Sequence, residues 1–299
     1  MVDSPIAKSL AKVVIVAAKT ENEIHAEQLE CVKDLLFQLP EISERSWQEL
    51  NCLLQSPIDA KKRRAYLQEL KVLLSSEEER AFALYALNRV MNIDGTGSKN
   101  EPVPVQAMQE AIGKVTAKTV DKISRLLRVP IKIRSAINTR EVQQICAIET
   151  MLEERVSDLK SAQLSMCMDD TEMRKLCLAG ILMARVIGAD GVLEDKEVAQ
   201  TVRYLEEKWK LSTEEAHFVI IVSLSGKVEE LDLIRVCRHF YEFTSELERI
   251  QFLDVLFQVG MEDGKLMDDE IDEVINIAAN LKLEQDHFQT AFNRIVQTI

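Results

Sequence analysis

The sequence predicts an all-α protein, and three observations carry that prediction. Leu, Ala, Glu, Lys, Gln and Ile dominate, with only 9 Gly and 6 Pro in 299 residues, a vocabulary of helix formers. Apolar residues recur at helical spacing in one stretch after another. Between such stretches a turn of the form Asp-Gly-x-Leu-x-x-x-Glu returns, once from Asp190 to Glu197 and again from Asp263 to Glu270.

The turn also measures the chain. A weaker copy stands at Asp94-Gly95 with Glu101 seven positions on, and a fainter one at Thr20 with Glu27, where both Asp and Gly are lost. The step from Thr20 to Asp94 equals the step from Asp190 to Asp263 to within one position. The longer step from Thr20 to Asp190 matches that from Asp94 to Asp263 equally closely. Two halves, each of two related quarters, account for all four spacings. The prediction is therefore two compact seven-helix domains, 1–130 and 173–299, joined by a helical linker, 131–172.

In the first domain the periodicity predicts helices near 5–19, 25–39, 43–55, 57–74, 76–92, 102–114 and 116–129, with Pro130 as the stop. In the second it predicts 172–188, 194–210, 212–225, 228–243, 245–261, 268–282 and 284–298. Ser76 with Glu79, Ser212 with Glu215 and Ser245 with Glu248 have the Ser-x-x-Glu spacing of a reciprocal capping box. The first and fifth helices of each half, such as Leu10–Ala18 and Phe252–Phe257, are apolar almost all round and are predicted to be the buried centres. In the linker, Glu141 to Leu164 carries a stripe of Val142, Ile145, Ile148, Met151, Leu152, Val156 and Leu159. A stripe of that kind must be covered, by a domain or by the same helix of a second copy in a homodimer.

Charge excludes some functions. The net charge of −13 opposes binding to a phosphate backbone, so nucleic acid is not an expected ligand. One segment departs from this: residues 118–140 hold seven cations against a single acid, Asp121, and Lys61-Lys62-Arg63-Arg64 form a shorter run. Either could be a solvated face or a docking surface. The six cysteines lack Cys-x-x-Cys spacing and sit mostly among apolar residues, which predicts buried free thiols and a reducing, cytoplasmic compartment. The apolar runs Val13–Ala18 and Phe218–Gly226 are too short for a signal-peptide core or a membrane span.

The turns admit two readings. As structure, Gly191 and Gly264 stop one helix in the left-handed region, while Leu193 with Val198 and Leu266 with Ile271 staple the next. As chemistry, Asp190, Glu194 and Glu197 on one turn, and Asp263, Asp268 and Glu270 on the other, are hard oxygen donors suited to Ca2+ or Mg2+. So many carboxylates at close range need a cation or protons between them. An EF-hand is not expected, because its first and third ligand positions would fall on Val186 and Gly188, or on Val259 and Met261.

The segment Ala184 to Glu197, with its echo around Asp263, resembles the signature turns of the tellurite-resistance TerB-like family, a compact all-helical module of two similar halves. The likeness is clear over 173–299 and degenerate over 6–130. It implies non-catalytic, metal-associated binding or scaffolding in a bacterial stress response, at the inner face of the membrane with a membrane-associated protein partner. It carries Asp190, Glu197, Asp263 and Glu270 over as ligands. No His is followed by Pro-Asp, so co-chaperone activity of the DnaJ kind is not expected.

For an enzyme, the competing pattern is Glu214 with His217 and Glu284 with His287, the Glu-x-x-His spacing of dinuclear carboxylate oxidoreductases. Both pairs fall in the first turns of predicted helices, where acids serve as caps. His239 and Glu242 share the spacing as a surface pair. No nucleophile elbow, phosphate loop or dinucleotide fingerprint occurs. The expectation is a protein that binds rather than catalyses; a metal-free adaptor is the third possibility.

Overall fold

A computed structural model of the chain describes residues 4–19, 26–91, 105–116, 118–137, 170–187, 195–224, 231–261 and 268–296. Among them there are helices and no strands. The chain divides into two compact units, Met1–Arg140 and Glu141–Ile299.

The first unit holds α1 (Pro5–Ala18), α2 (Ala26–Phe37), α3 (Glu44–Gln55), α4 (Ala60–Leu73), α5 (Glu77–Met91), α6 (Val105–Gly113) and α7, residues 119–137. The second holds α8 (Asp170–Ile187), α9 (Asp195–Trp209), α10 (Thr213–Ser223), α11 (Leu233–Phe243), α12 (Glu246–Gly260), α13 (Asp268–Asn280) and α14 (Gln285–Val296).

Local chemistry sets the helix ends. At α10 and α12, Ser212 and Ser245 accept from the backbone of Glu215 and Glu248, whose carboxylates reach back to the serine N–H at 2.7 and 2.8 Å. Ser76 and Glu79 make the same reciprocal pair at α5. α1 has Ser4 as cap and Pro5 in its first turn, where a missing N–H costs nothing. Its run Val13–Ala17 is at most 1% exposed, because α2, α3, α4 and α5 all pack on it. At the other end of α1 the Lys19 ammonium donates to the carbonyls of Leu53 and Ser56 at 3.2 and 2.7 Å, closing the C-terminus of α3.

Two expectations need correction. Pro130 does not end the last helix of the first unit: α7 runs through it to residue 137. A mid-helix proline costs about 3 kcal/mol. The inner stripe of Val120, Ile123, Leu127, Pro130 and Arg134 stays buried on both sides of it, and that packing outweighs the lost hydrogen bond. The second correction concerns α5, which is not buried all round. Ala83, Ala86, Leu87, Val90 and Met91 face inward, but Tyr85 is 54% exposed.

In the second unit α8 packs on α10, α11, α12 and α13, and α12 on α8, α9, α13 and α14. The helix after the first Asp-Gly turn, α9, therefore packs on the helix before the second, while α13 packs on α8. Such an exchange is what a twofold axis between α8 and α12 generates. Lys175 and Glu248 are separated by the same step as Asp190 and Asp263, so they are equivalent under the repeat. They meet at 3.1 Å near the starts of those helices. Equivalent positions touch only beside the axis.

Six of the helix pairs in the second unit recur between the corresponding helices of the first: α8·α10 as α1·α3, α8·α11 as α1·α4, α8·α12 as α1·α5, α9·α10 as α2·α3, α9·α12 as α2·α5 and α12·α13 as α5·α6. The backbone repeats as well. Among the described residues, the non-glycine residues with positive φ are Glu41 (52°), Lys210 (60°) and Lys282 (60°). Each stands just after an equivalent helix, at the repeat interval to within one position. At Lys282 the left-handed residue closes α13: its N–H donates to Ala279 at 3.2 Å, and Leu283 N–H to Ala278 at 3.1 Å.

Candidate functional site

The candidate site is where the two Asp-Gly turns join their helices. Asp190, Glu194 and Asp263 lie outside the described residues. Glu197 stands in the first turn of α9, and Asp268 and Glu270 in the first turn of α13. Asp268 is exposed; Glu270 is half-buried and engaged with a partner. Asp94 and Glu101 of the weaker copy also fall outside, as do the glycines of the turns and the linker stripe.

What the structure fixes is the frame around these acids. Arg185, in the last turn of α8, pairs through Nε with Glu273 of α13 at 2.6 Å, and its guanidinium also reaches the Leu231 carbonyl at 3.4 Å. The end of the helix that leads into the first turn is thus held against the early part of the helix that leaves the second. Lys175 and Glu248 meet near the starts of α8 and α12.

Two aromatic clusters make that frame stiff. Trp209, Phe240 and Phe252 join α9, α11 and α12 with centroids 4.9–6.0 Å apart, and the Lys175 ammonium lies 5.6 Å over the Trp209 ring. Phe257, Phe288 and Phe292 join α12 to α14. Burial alone would lower the Lys175 ammonium, but its bonds to Glu172 and Glu248 outweigh that and raise it. Glu248 is the converse: burial pushes its carboxyl up, and the bonds from Ser245 and Lys175 hold it below the usual range.

Among the described residues no group of three or more His, Cys, Asp or Glu side chains is arranged to hold a metal ion. The Glu of each Glu-x-x-His pair is exposed. Glu214 and His217 are exposed on the first turn of α10, where His217 Nδ1 donates to the Thr213 carbonyl at 2.7 Å. Glu284 is exposed and His287 half-buried, at the start of α14. A dinuclear site needs both pairs deep between helices. His239 is no better placed: Arg238, always a donor, approaches its Nε2 at 3.3 Å and so takes up the lone pair a metal would need, while Glu242 is 3.8 Å from Nδ1. The thiols are ordinary too. Cys31 and Cys237 are buried, Cys177 is half-buried and Cys52 is exposed; burial pushes the Cys237 thiol far above its usual range.

Sequence reasoning missed the buried cations. Arg134 and Arg238 are fully buried and Arg249 is 2% exposed. Arg249 closes the end of α11 by donating to the carbonyls of Tyr241 (3.2 Å) and Thr244, with its guanidinium 4.0 Å from the Tyr241 ring centroid. The only signal was the place of Arg249 in the first turn of α12, where a cation opposes the helix dipole and needs another reason to be there. No helix among the described residues is long and apolar enough to cross a membrane.

Comparison with known proteins gives one result for this segment: residues 177–293 match the family model described as Tellurite resistance protein TerB. The match spans α9 to α13 entirely and most of α8 and α14. No curated protein and no solved structure matches the chain.

Proposed function

We propose, from the match of residues 177–293 to the TerB family model, that the chain is a non-catalytic binding protein of a tellurite-resistance-like stress response, whose second unit holds a divalent cation, Ca2+ or Mg2+, between its two Asp-Gly turns. The ligands in this reading come from Asp190, Glu194 and Glu197 on one side and Asp263, Asp268 and Glu270 on the other. The observation that supports it best is the exchange of helices about α8 and α12. α13 packs on α8 and α9 on α12, with Arg185 tied to Glu273, so the helices flanking the two turns are exchanged between the halves of the unit. The donors are carboxylates, which suit hard cations and would repel one another without one.

A bound cation would supply charge neutralisation and a fixed geometry between the turns; the protein residues supply the rest. The Arg185–Glu273 pair holds α8 and α13 in register. The first turns of α9 and α13 present backbone N–H groups at an end of a helix that favours negative charge. We further infer that the first unit is a degenerate sibling, on the six shared helix pairs and the matching positive-φ residues, and that it keeps the scaffold without the ligands.

Isothermal titration of the full chain with CaCl2 and MgCl2, repeated for Asp190→Ala and Asp263→Ala, tests this. The expected result is heat and an upward thermal shift with one of the two ions, lost in both variants. Absence of heat and of any shift with either ion would falsify it.

A further inference from the structure

Helix α7 presents a line of cations that the cation-binding reading leaves unused. Its rotation is fixed by the buried stripe of Val120, Ile123, Leu127, Pro130 and Arg134. On the opposite side Lys118, just before the helix, and Arg125, Arg128 and Lys132 within it are exposed, with Lys122 half-buried among them. Successive members are three or four positions apart, which keeps these side chains on one face. From Lys118 to Lys132 the line is about 21 Å long at about 1.5 Å per residue.

Among the described residues, this line makes an ion pair with an exposed acid. Asp121 is the one acid from 118 to 137. Lys122 reaches the exposed Glu110 at 3.4 Å, a pair worth little in water. Arg128 has an interaction of its own. Between Arg128 and Lys132, Val129 is 58% exposed, an apolar knob beside the positive charges.

Three kinds of surface could answer it. Nucleic acid is disfavoured because α7 has no aromatic side chain for a base to stack on. An anionic bilayer is a broad plane, whereas the line is one helix wide on a chain of net charge −13, which such a plane repels at longer range. An acidic amphipathic helix fits best. Carboxylates three and four residues apart repeat at the same interval along its axis, and one aliphatic residue among them would cover Val129.

We propose that the outer face of α7 is a docking surface for an acidic amphipathic helix of a protein partner. The contact is independent of any cation on the second unit and is governed by charge, so it forms fast and weakens with salt. Val129 supplies a small dry centre and the cations supply the rim.

The test uses the full chain and a fluorescently labelled synthetic helix of about 18 residues, with Glu at i, i+3 and i+4 and a single Leu stripe. Anisotropy should show saturable binding that weakens as NaCl is added. The triple reversal Lys122→Glu, Arg125→Glu, Lys132→Glu should weaken it by about ten-fold or more, while the same change of charge on α4, Lys61→Glu, Lys62→Glu, Arg64→Glu, leaves it within about two-fold. Should the first reversal disturb the circular dichroism spectrum, Arg125→Gln with Lys132→Gln replaces it, with an expected loss of about three-fold or more. No saturable binding overturns the proposal, as does equal weakening by the two reversals, which is general electrostatics. Binding to phosphatidylserine vesicles in place of the peptide, abolished by the α7 reversal, also overturns it and assigns the face to a membrane.

Discussion

Asp254 illustrates what a single residue can say here. It sits midway along α12, is 4% exposed, and spends one carboxylate oxygen on Arg294 at 3.0 Å while Oδ1 is buried without a hydrogen bond. Burial raises its carboxyl above the ordinary value of 3.8, against the opposing pull of Arg294 and Lys208. The sign of the consequence follows from linkage. A carboxyl whose folded value lies above its unfolded value holds its proton more tightly in the native state, so it subtracts stability as pH rises from the unfolded value through the folded one. Asp254→Asn removes that contribution. Urea midpoints taken in steps from acid to neutral pH should show the variant gaining on the parent protein as pH rises just above 3.8, with a flat difference beyond. A constant difference across the whole range would place the shift elsewhere. In the sequence this residue was one polar letter in an apolar run, and nothing there showed that the distant Arg294 would reach it.

At the scale of elements most of the fold was legible, for an identifiable reason. Helix starts are written in short-range chemistry, and Ser76, Ser212 and Ser245 all cap as their spacing to Glu predicts. Six helix pairs of the second unit have counterparts in the first. What failed depends on tertiary contact. α5 and α12 are equivalent under the longer repeat, and Tyr85 and Asp254 hold the same position in them, yet Tyr85 is exposed where Asp254 is covered. Arg294 and the rings of α14 close that side of α12. Half of the candidate site was unreadable in a different way: Asp-Gly turns have the same residues whether they stop a helix or bind an ion. Close packing of α8 on α10 gives the sharpest prediction at this scale. A Cβ on Gly180 would lie 2.6 Å from Val222 Cβ and 2.7 Å from the Val219 carbonyl oxygen. Gly180→Ala gains about 1 kcal/mol of helix propensity but overpacks against a β-branched carbon and a backbone oxygen, so a net loss on the order of 1–2 kcal/mol is expected. At Gly113, where nothing lies within 4 Å, the same change should stabilise by about 0.5 kcal/mol. Urea denaturation of the two variants checks both, and a Gly180→Ala protein as stable as its parent would mean that α8 and α10 are less tightly apposed.

For the whole molecule, charge divides the chain as its folding units do. Residues 1–140 hold 21 Lys and Arg against 18 Asp and Glu, a net +3, whereas residues 141–299 hold 16 against 32, a net −16. The total of −13 hides that contrast. Self-repulsion at neutral pH therefore falls on the second unit. Each unit has its own buried centre, α1 in one and α8 with α12 in the other, so heating should give two transitions. Raising NaCl from about 20 to about 300 mM shortens the screening length several-fold and should lift the second unit's transition while moving the first far less. Gly180→Ala identifies which is which, since it lowers only the second unit's. Calorimetry of both proteins at the two salt concentrations makes the comparison. If the transition that Gly180→Ala lowers is the salt-insensitive one, repulsion among the acids of the second unit is already relieved within the fold, and the case for a neutralising cation weakens with it.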